Sequence, residues 1–329
     1  GRFMLGLGTQ VRAHVQRRFG LEWHAPAPWM RDYIGAMRAV WRCWQDGTPL
    51  GFESEHYTLD LMVPLFDPGP IDPPDIPVHV AVIGPNMTAM AGECADGIRL
   101  HPVVTPRFID EEILPNLAKG AARTNRDVDA VEVCIKPLIG TAPDEARLDA
   151  VIRTVRARTA FYLSTPSYRR AFAIHGWEDR AREASEYSRA GRWEEMPGLV
   201  DDEMLHTIAT IGTYDEIADK LNERFAGRVD RIEFSVPVNS PDDADGFREI
   251  LDRHRAPLPP RHAEFERIGG PHTAAEGRFG WFGRRGRHRR GRRGGGRRRG
   301  GGRGGRRRGC RRPRPRRRAA RGGGPQGDG

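Results

Sequence analysis

The chain has 329 residues and a formal net charge of +10, but that charge is unevenly distributed. Residues 278–329 contain 22 arginines and one acid, whereas residues 1–277 contain 32 basic and 43 acidic residues, a net charge of −11. The basic total therefore gives no ground for treating the body as a nucleic-acid-binding domain. No apolar run is long enough for a membrane span, so we expect a cytoplasmic protein with no membrane partner.

Apolar patterning divides the body into alternating strands and helices. The predicted strands are residues 3–8, 78–83, 97–101, 131–137 and 231–236. The predicted helices are residues 28–44, 86–95, 107–122, 144–162, 213–225 and 240–254, with a proline-rich loop at 67–77 and a mostly helical insertion at 164–210. This alternation favours parallel β-α-β units, in either an open doubly wound sheet or a (β/α)8 barrel, which needs eight strands to close.

The first predicted helix carries a stripe of large apolar side chains at three- and four-residue spacing. The stripe comprises Met30, Tyr33, Ile34, Met37, Val40, Trp41 and Trp44. Spacing of this kind places the side chains on one face of a helix. We interpret the stripe as core packing rather than as a ligand site.

Two glycine turns follow predicted strands. The first, around Gly6 and Gly8, lacks the third glycine of a dinucleotide-binding fingerprint. The second, Ile83-Gly84-Pro85-Asn86-Met87-Thr88, ends one strand and opens a helix. Free amides at the start of a helix can hold a phosphate, and Gly84 would let the phosphate approach the backbone. The same residues also fit an ordinary strand-to-helix turn, and the sequence leaves both interpretations open.

Histidines are the candidate catalytic residues. His14 lies in the predicted loop after the first strand and His101 at the end of another strand, where a barrel would place its active site. Either could instead make a structural hydrogen bond. The four cysteines are too far apart to suggest a zinc site or a disulfide framework, so no metal is predicted.

Several segments together resemble one enzyme family. They are Gly-Arg-Phe-Met-Leu-Gly-Leu-Gly-Thr at 1–9, Pro-Val-His-Val-Ala-Val-Ile-Gly-Pro-Asn-Met-Thr-Ala-Met-Ala-Gly at 77–92, Ala-Asp-Gly at 95–97, and the segments 212–221 and 231–237. In this order they are similar to the luciferase-like monooxygenase superfamily, and within it to the coenzyme F420-dependent oxidoreductases common in actinobacteria. The resemblance covers about residues 1–255.

The resemblance implies an α/β fold, a TIM (β/α)8 barrel with a helical insertion. Residues 1–256 would then supply strands four to eight, without the first three strands. The implied activity is hydride transfer between coenzyme F420 and an unknown small-molecule substrate, and the alternative is an FMN-dependent monooxygenase. The full-length enzyme is expected to form a homodimer. By the same resemblance, Gly8, Thr9 and His14 would lie beside the cofactor ring, and Ile83, Gly84, Pro85, Met87 and Thr88 would hold its phosphate end. Some relatives have a catalytic acid two places after Thr9, where this chain has Val11.

The arginine-rich end of the chain has a different composition from the body. We expect residues 257–329 to be a disordered Arg/Gly/Pro-rich extension, because such a composition cannot bury a core. Flexible Arg-Gly segments can bind RNA, which leaves an RNA-binding protein as an alternative of another class. No aromatic residue follows Phe282 to stack on bases, so no specific nucleic acid is expected. We interpret the extension as a frameshift or gene-model artefact, because arginine, glycine, proline and alanine are what a GC-rich message yields when it is read out of frame. An inactive, truncated product is a further alternative for the chain as a whole.

Deletion of residues 278–329 tests this interpretation of the extension. We expect the melting temperature and the cofactor affinity to stay unchanged, and any binding of homopolymer RNA by the full chain to vanish above moderate salt, because polycation contacts are electrostatic. Thermal unfolding, cofactor titration and RNA gel shifts measure these quantities. Sequence-selective RNA binding that survives such salt would support the RNA-binding alternative instead.

Overall fold

A computed structural model describes residues 3–235, 241–253 and Arg261. The strands are β1 (Leu5–Leu7), β2 (Phe52–Glu53), β3 (Thr58–Leu59), β4 (Val78–Val82), β5 (Gly97–Leu100), β6 (Glu132–Ile135), β7 (Leu138–Ala142), β8 (Ala209–Thr213) and β9 (Arg231–Ile232). The helices are α1 (Pro26–Asp46), α2 (Pro85–Cys94), α3 (Pro106–Phe108), α4 (Leu114–Arg123), α5 (Glu145–Leu163), α6 (Arg169–Ala173), α7 (Glu178–Arg189), α8 (Asp202–Ile208), α9 (Ile217–Phe225) and α10 (Pro241–Arg253).

The central element is a five-stranded sheet in the order β1-β4-β5-β6-β9, and every neighbouring pair is parallel. These are the five strands predicted from the sequence, and they pair in chain order. Parallel neighbours require a crossover between them, and α2 supplies it between β4 and β5. The prediction of a mixed α/β fold with a parallel sheet is therefore confirmed.

The sheet has one apolar face and one polar face. Side chains that alternate along β4, β5 and β6 pack against the helices; they are Val78, Val80, Val82, Ile98, Leu100, Val133 and Ile135. The opposite face carries His79, Arg99, Glu132 and Cys134. The register aligns His79 with Gly97, and Gly97 with Glu132. A Cβ on Gly97 would lie 2.4 Å from the His79 ring, so the imidazole occupies the space that this glycine leaves.

Helices α2 and α4 pack at unusually close range on the apolar side. A Cβ added to Gly120 of α4 would lie 1.8 Å from the carbonyl oxygen of Ala89 in α2, and one added to Gly92 would lie 2.3 Å from the carbonyl oxygen of Leu117. Both contacts are with backbone atoms, which cannot rotate away. The two glycines therefore set the separation of these helices, and through it the position of α2 against β4.

Some sequence-based predictions of secondary structure were incomplete. Strands β7 and β8 were missed: they pair parallel with each other, and β8 begins within the segment predicted as helical insertion. The insertion otherwise contains α6, α7 and α8, as expected. Residues between the first helix and the proline-rich loop, for which no element was predicted, contain the short antiparallel pair β2–β3. His14 begins a wide helical turn, His14–Arg18, rather than lying in an open loop.

The predicted extension, residues 257–329, falls outside the described residues except for Arg261. The Arg261 side chain is buried; its Nε donates to Asp230 Oδ1 at 3.0 Å and its Nη2 donates to the carbonyl oxygen of Val131 at 2.8 Å. This position therefore contacts the body next to β6. Within the part of the chain that is described, none of the helices is both long and apolar enough to cross a membrane.

Substitution of Gly120 tests the close packing of α2 and α4. We expect Gly120→Ala to lower the free energy of unfolding by about 1–3 kcal/mol, because the added methyl group overlaps the backbone of Ala89. Gly198→Ala is the matched control, since a Cβ there meets nothing within 4 Å. Urea unfolding of both variants measures the difference. Equal stability of Gly120→Ala and the wild type would contradict the packing.

Candidate functional site

A cavity of about 490 Å³ opens where β1, β4, β5 and β6 end. Because parallel strands share one direction, their carboxyl ends meet at one edge of the sheet, the usual position of ligands in folds of this class. The segment from Gly8 to Arg12, which follows β1, forms one wall. Residues from β5, β6 and the insertion form the opposite wall, and Tyr168 is among them.

Three charged side chains from different strands meet at the floor of the cavity. Arg99 of β5 donates from Nη1 to Glu233 Oε2 at 2.8 Å, and Lys136 Nζ lies 3.1 Å from Glu233 Oε1. With Arg12 on the wall, the described lining holds three cations against the single carboxylate of Glu233. The excess of positive charge favours an anionic ligand. This cluster was not predicted from the sequence, although Arg99, a lone charge inside the apolar strand Gly97–Leu100, was a signal for it.

Four of the residues predicted to bind the cofactor line the cavity: Gly8, Thr9, Ile83 and Met87. A Cβ on Gly8 would lie 3.5 Å from that of Ala81, so the turn after β1 packs against β4. His14 lies farther along the chain, in the wide turn, and is not among the lining residues. The structure therefore brings parts of the two predicted segments to one cavity, whereas His14, Gly84, Pro85 and Thr88 are not among its lining residues.

The turn from Ile83 to Thr88 has the geometry of an open helix start. Gly84 caps α2 in extended conformation, and Pro85 occupies the first helical position. Thr88 is buried, and both its amide and its hydroxyl group donate to the carbonyl oxygen of Gly84 at 3.0 Å. The amides of Asn86 and Met87 precede this first internal bond, and they make no hydrogen bond within the described residues. These amides could bind an anion.

His101 lies on the cavity wall against two tyrosines. Its ring centroid is 3.9 Å from that of Tyr168 and 4.9 Å from that of Tyr162. Burial lowers the pKa of His101 from 6.5 to about 4. The amide of Val103 donates to Nδ1 at 3.4 Å, so the neutral ring carries its proton on Nε2. His101 is therefore an uncharged hydrogen-bond donor at neutral pH.

Below this cavity, on the polar face of the sheet, His79, Glu132 and Cys134 place possible metal ligands within 4.8 Å of one another. Glu132 already accepts two bonds from Arg231, at 2.8 and 2.6 Å. Burial raises the pKa of Cys134 to about 12, which keeps the thiol protonated, and burial lowers the pKa of His79. Glu132 is ion-paired with Arg231, and the His79 ring lies 3.3 Å from Glu132 Oε2 and 3.8 Å from Cys134 Sγ, so these side chains are linked in a polar network.

The profile of the family described as luciferase-like monooxygenase matches residues 1–231. The chain belongs to this family. Luciferase-like proteins are oxidoreductases and monooxygenases, and F420-dependent enzymes are among them. The resemblance inferred from the motifs at 1–9 and 77–92 is therefore confirmed.

Three matches, each covering 70% or more of this chain, illustrate the similarity. An uncharacterized protein of Mycobacterium tuberculosis is 46% identical over 232 residues, which are 70% of this chain and 68% of that protein. A 5,10-methylenetetrahydromethanopterin reductase of Archaeoglobus fulgidus is 24% identical over 243 residues, 72% of this chain and 68% of the reductase. The structure of the coenzyme F420-dependent tetrahydromethanopterin reductase of Methanopyrus kandleri matches with a TM-score of 0.60 at 22% identity, covering 76% of this chain and 72% of that one. This match shows that the luciferase-like chain shares the fold.

The buried His101 gives stability a pH dependence. Because the pKa of His101 is about 4 in the folded protein and ordinary imidazole has 6.5, the unfolded chain binds the proton first. The stability that His101 contributes is therefore present above pH 6.5 and is lost as the pH falls towards 4. We expect His101→Gln to flatten this decline by roughly 2–3 kcal/mol between pH 7 and pH 4.5. Urea unfolding across this range measures it, and parallel curves for the two proteins would exclude a buried neutral His101.

Proposed function

We propose that this luciferase-like protein is an F420-dependent oxidoreductase, which transfers a hydride between a deazaflavin and a small organic substrate. The observation that carries the proposal is the turn at Gly84, where unpaired amides of α2 adjoin a cavity at the carboxyl ends of four parallel strands. Relatives named as F420-dependent or as methylenetetrahydromethanopterin reductases support the choice of cofactor.

The residues present fit a phosphate-bearing ring cofactor. A Cβ on Gly84 would meet no atom within 4 Å, so the space in front of this backbone is free for a ligand. The cavity volume of about 490 Å³ is in the range typical of small-molecule sites. The cations Arg12, Arg99 and Lys136 outnumber the one acid of the lining, which suits the negative charge of a phosphate.

Two groups of residues would divide the binding of the cofactor. Gly8, Thr9 and, in the wide turn beyond them, His14 are proposed for the ring end. Ile83, Gly84, Pro85, Met87 and Thr88 are proposed for the phosphate end. Within the second group the amide of Met87 would donate to phosphate, whereas Thr88 would act indirectly, because its side chain holds the turn through the carbonyl oxygen of Gly84.

The bound deazaflavin would supply the redox chemistry, by donating or accepting a hydride at its ring. The chain contributes position and environment. The tyrosines beside His101 exclude water from that wall, and the neutral His101 can donate a hydrogen bond from Nε2 to a substrate or ring oxygen. Since the pKa of His101 is about 4, its imidazole is not a proton donor in the charged form at neutral pH. Its role would be orientation through a hydrogen bond.

The second candidate within the family is an FMN-dependent monooxygenase. The name of the matched family supports it, and the turn at Gly84 would hold the phosphate of FMN in the same way. Oxygen consumption separates the two candidates, because a deazaflavin reacts poorly with oxygen. Cytoplasmic location, homodimer formation and the division of the chain at residue 256 stay predictions.

Titration of the protein with both cofactors tests the proposal. We expect at least tenfold tighter binding of F420 than of FMN, measured by fluorescence. Equal or reversed affinities would contradict the F420 assignment.

Gly84→Val tests the phosphate end separately. The extended backbone of Gly84 accepts a β-branched residue, and the added Cβ meets no protein atom, so the melting temperature should not change. The side chain would instead fill the space proposed for phosphate, and we expect cofactor affinity to fall about tenfold or more. Gly198→Val, a turn glycine away from the cavity, is the control. Unchanged affinity of Gly84→Val would remove the argument for the anion site.

A further inference from the structure

A second, smaller cavity adjoins the candidate cofactor site. We name it the aromatic recess; it measures about 190 Å³, and Trp23, Trp29, Tyr33 and Tyr57 supply its rings. It shares Thr9, Trp23 and Pro26 with the larger cavity. A molecule in the recess would therefore lie next to the segment proposed for the cofactor ring. The helical spacing predicted that Tyr33 packs in the apolar core. The residue is instead 40% exposed and lines this recess.

The rings of the recess are held in place by their neighbours. Trp29 Nε1 donates to the hydroxyl oxygen of Tyr57 at 2.6 Å, and Trp29 stacks on His56 with ring centroids 5.5 Å apart. His56 Nδ1 in turn lies 2.7 Å from Asp32 Oδ2, and the hydrogen bond with His56 lowers the pKa of Asp32. An ionised carboxylate thus stands behind the stacked pair. Rings fixed in this way can accept a ligand with little loss of side-chain entropy.

The charged side chains that line the recess give it a negative charge. Among its described lining residues, Glu22 is the one acidic side chain, and no lysine or arginine contributes, although the chain has 54 basic residues. The Glu22 carboxylate is largely exposed and lies 3.8 Å from His24 Nε2. The faces of tryptophan and tyrosine rings carry negative charge density, which attracts cations. An anion in the recess would be repelled by the Glu22 carboxylate and by the negative faces of the rings.

We infer that the aromatic recess binds an organic cation, namely a substituted ammonium group on the substrate of the proposed hydride transfer. The inference rests on the proposed function for its link to catalysis, but the binding itself depends only on residues of the recess. An ammonium group seated between the rings directs the rest of the substrate past Thr9 into the larger cavity. The substrate class is therefore an amine or a quaternary ammonium compound rather than an organic acid.

Choline and its uncharged isostere, in which carbon replaces the quaternary nitrogen, are the probes. The two molecules have the same shape, so the difference in affinity measures the contribution of the charge. Titrations of the full chain at pH 8, above the range in which free imidazole protonates, use calorimetry and tryptophan fluorescence. We expect choline to bind about tenfold more tightly than the isostere. Equal binding of the two would show an apolar recess without preference for cations, and would overturn the inference.

Two substitutions identify the groups responsible. Tyr33→Leu removes a ring face and should weaken choline binding about three- to tenfold, whereas Tyr33→Phe keeps the ring and should stay within about twofold of the wild type. Glu22→Gln, at an exposed position, should weaken choline but not the isostere. If Tyr33→Phe fails as badly as Tyr33→Leu while both remain folded by circular dichroism, the ring face is not the binding group.

A parallel titration with F420 separates this inference from the proposed function. F420 binding with no preference for choline over the isostere would leave the cofactor assignment intact and overturn the recess proposal. A preference for choline without binding of F420 or FMN would support the recess proposal and overturn the cofactor assignment. Preferential binding of choline together with F420, each without displacing the other, is the result expected if the recess and the larger cavity serve one reaction.

Discussion

The parallel pairing of β1, β4, β5, β6 and β9 is the constraint on which the other features depend. Backbone hydrogen bonds fix Leu5 opposite Val78, His79 opposite Gly97, and Gly97 opposite Glu132. This register brings the strand ends to one edge and so places the turn after β1 against the turn after β4. Without it, Thr9 and Met87, which are 78 positions apart in the sequence, would not line one cavity. The same register decides which side chains lie on the apolar face of the sheet and which lie on the polar face.

The polar face of this sheet is unusual for its architecture. Barrel interiors are commonly filled by branched apolar residues, but here His79, Arg99, Glu132 and Cys134 project from that face. Burial of such groups is costly unless they are paired. Arg99 contacts Glu233, Glu132 contacts Arg231, and the His79 ring lies 3.3 Å from Glu132 and 3.8 Å from Cys134 Sγ. The network is therefore satisfied by charges from neighbouring strands. Arg99 and Lys136, at one end of this network, also line the floor of the candidate site.

Two cavities that meet at Thr9 and Trp23 give the site opposite electrostatic characters. Cations predominate in the larger cavity, beside the unpaired amides of α2, whereas aromatic side chains and a carboxylate line the aromatic recess. This division suits the proposed reaction, in which an anionic cofactor would occupy the larger cavity and the cationic group of the substrate would occupy the recess beside it. His101, uncharged because it is buried against Tyr162 and Tyr168, lies on the wall of the larger cavity.

Sequence alone determined the elements whose signals are local. Apolar runs identified all five strands of the main sheet, three- and four-residue spacing identified α1, and Gly84-Pro85 marked the start of α2. The motifs at 1–9 and 77–92 were sufficient for the family. The short strands β7 and β8 were missed because, among the described strands, they pair with each other alone across more than 60 residues, and neither has an apolar alternation of its own. Tertiary structure alone decided that Arg99, Lys136 and Glu233 meet, that His14 stays outside the cavity, and that Tyr33 leaves the core to line a recess. Each of these depends on the register of parallel strands and the docking of α1, which are set by contacts between residues far apart in the chain.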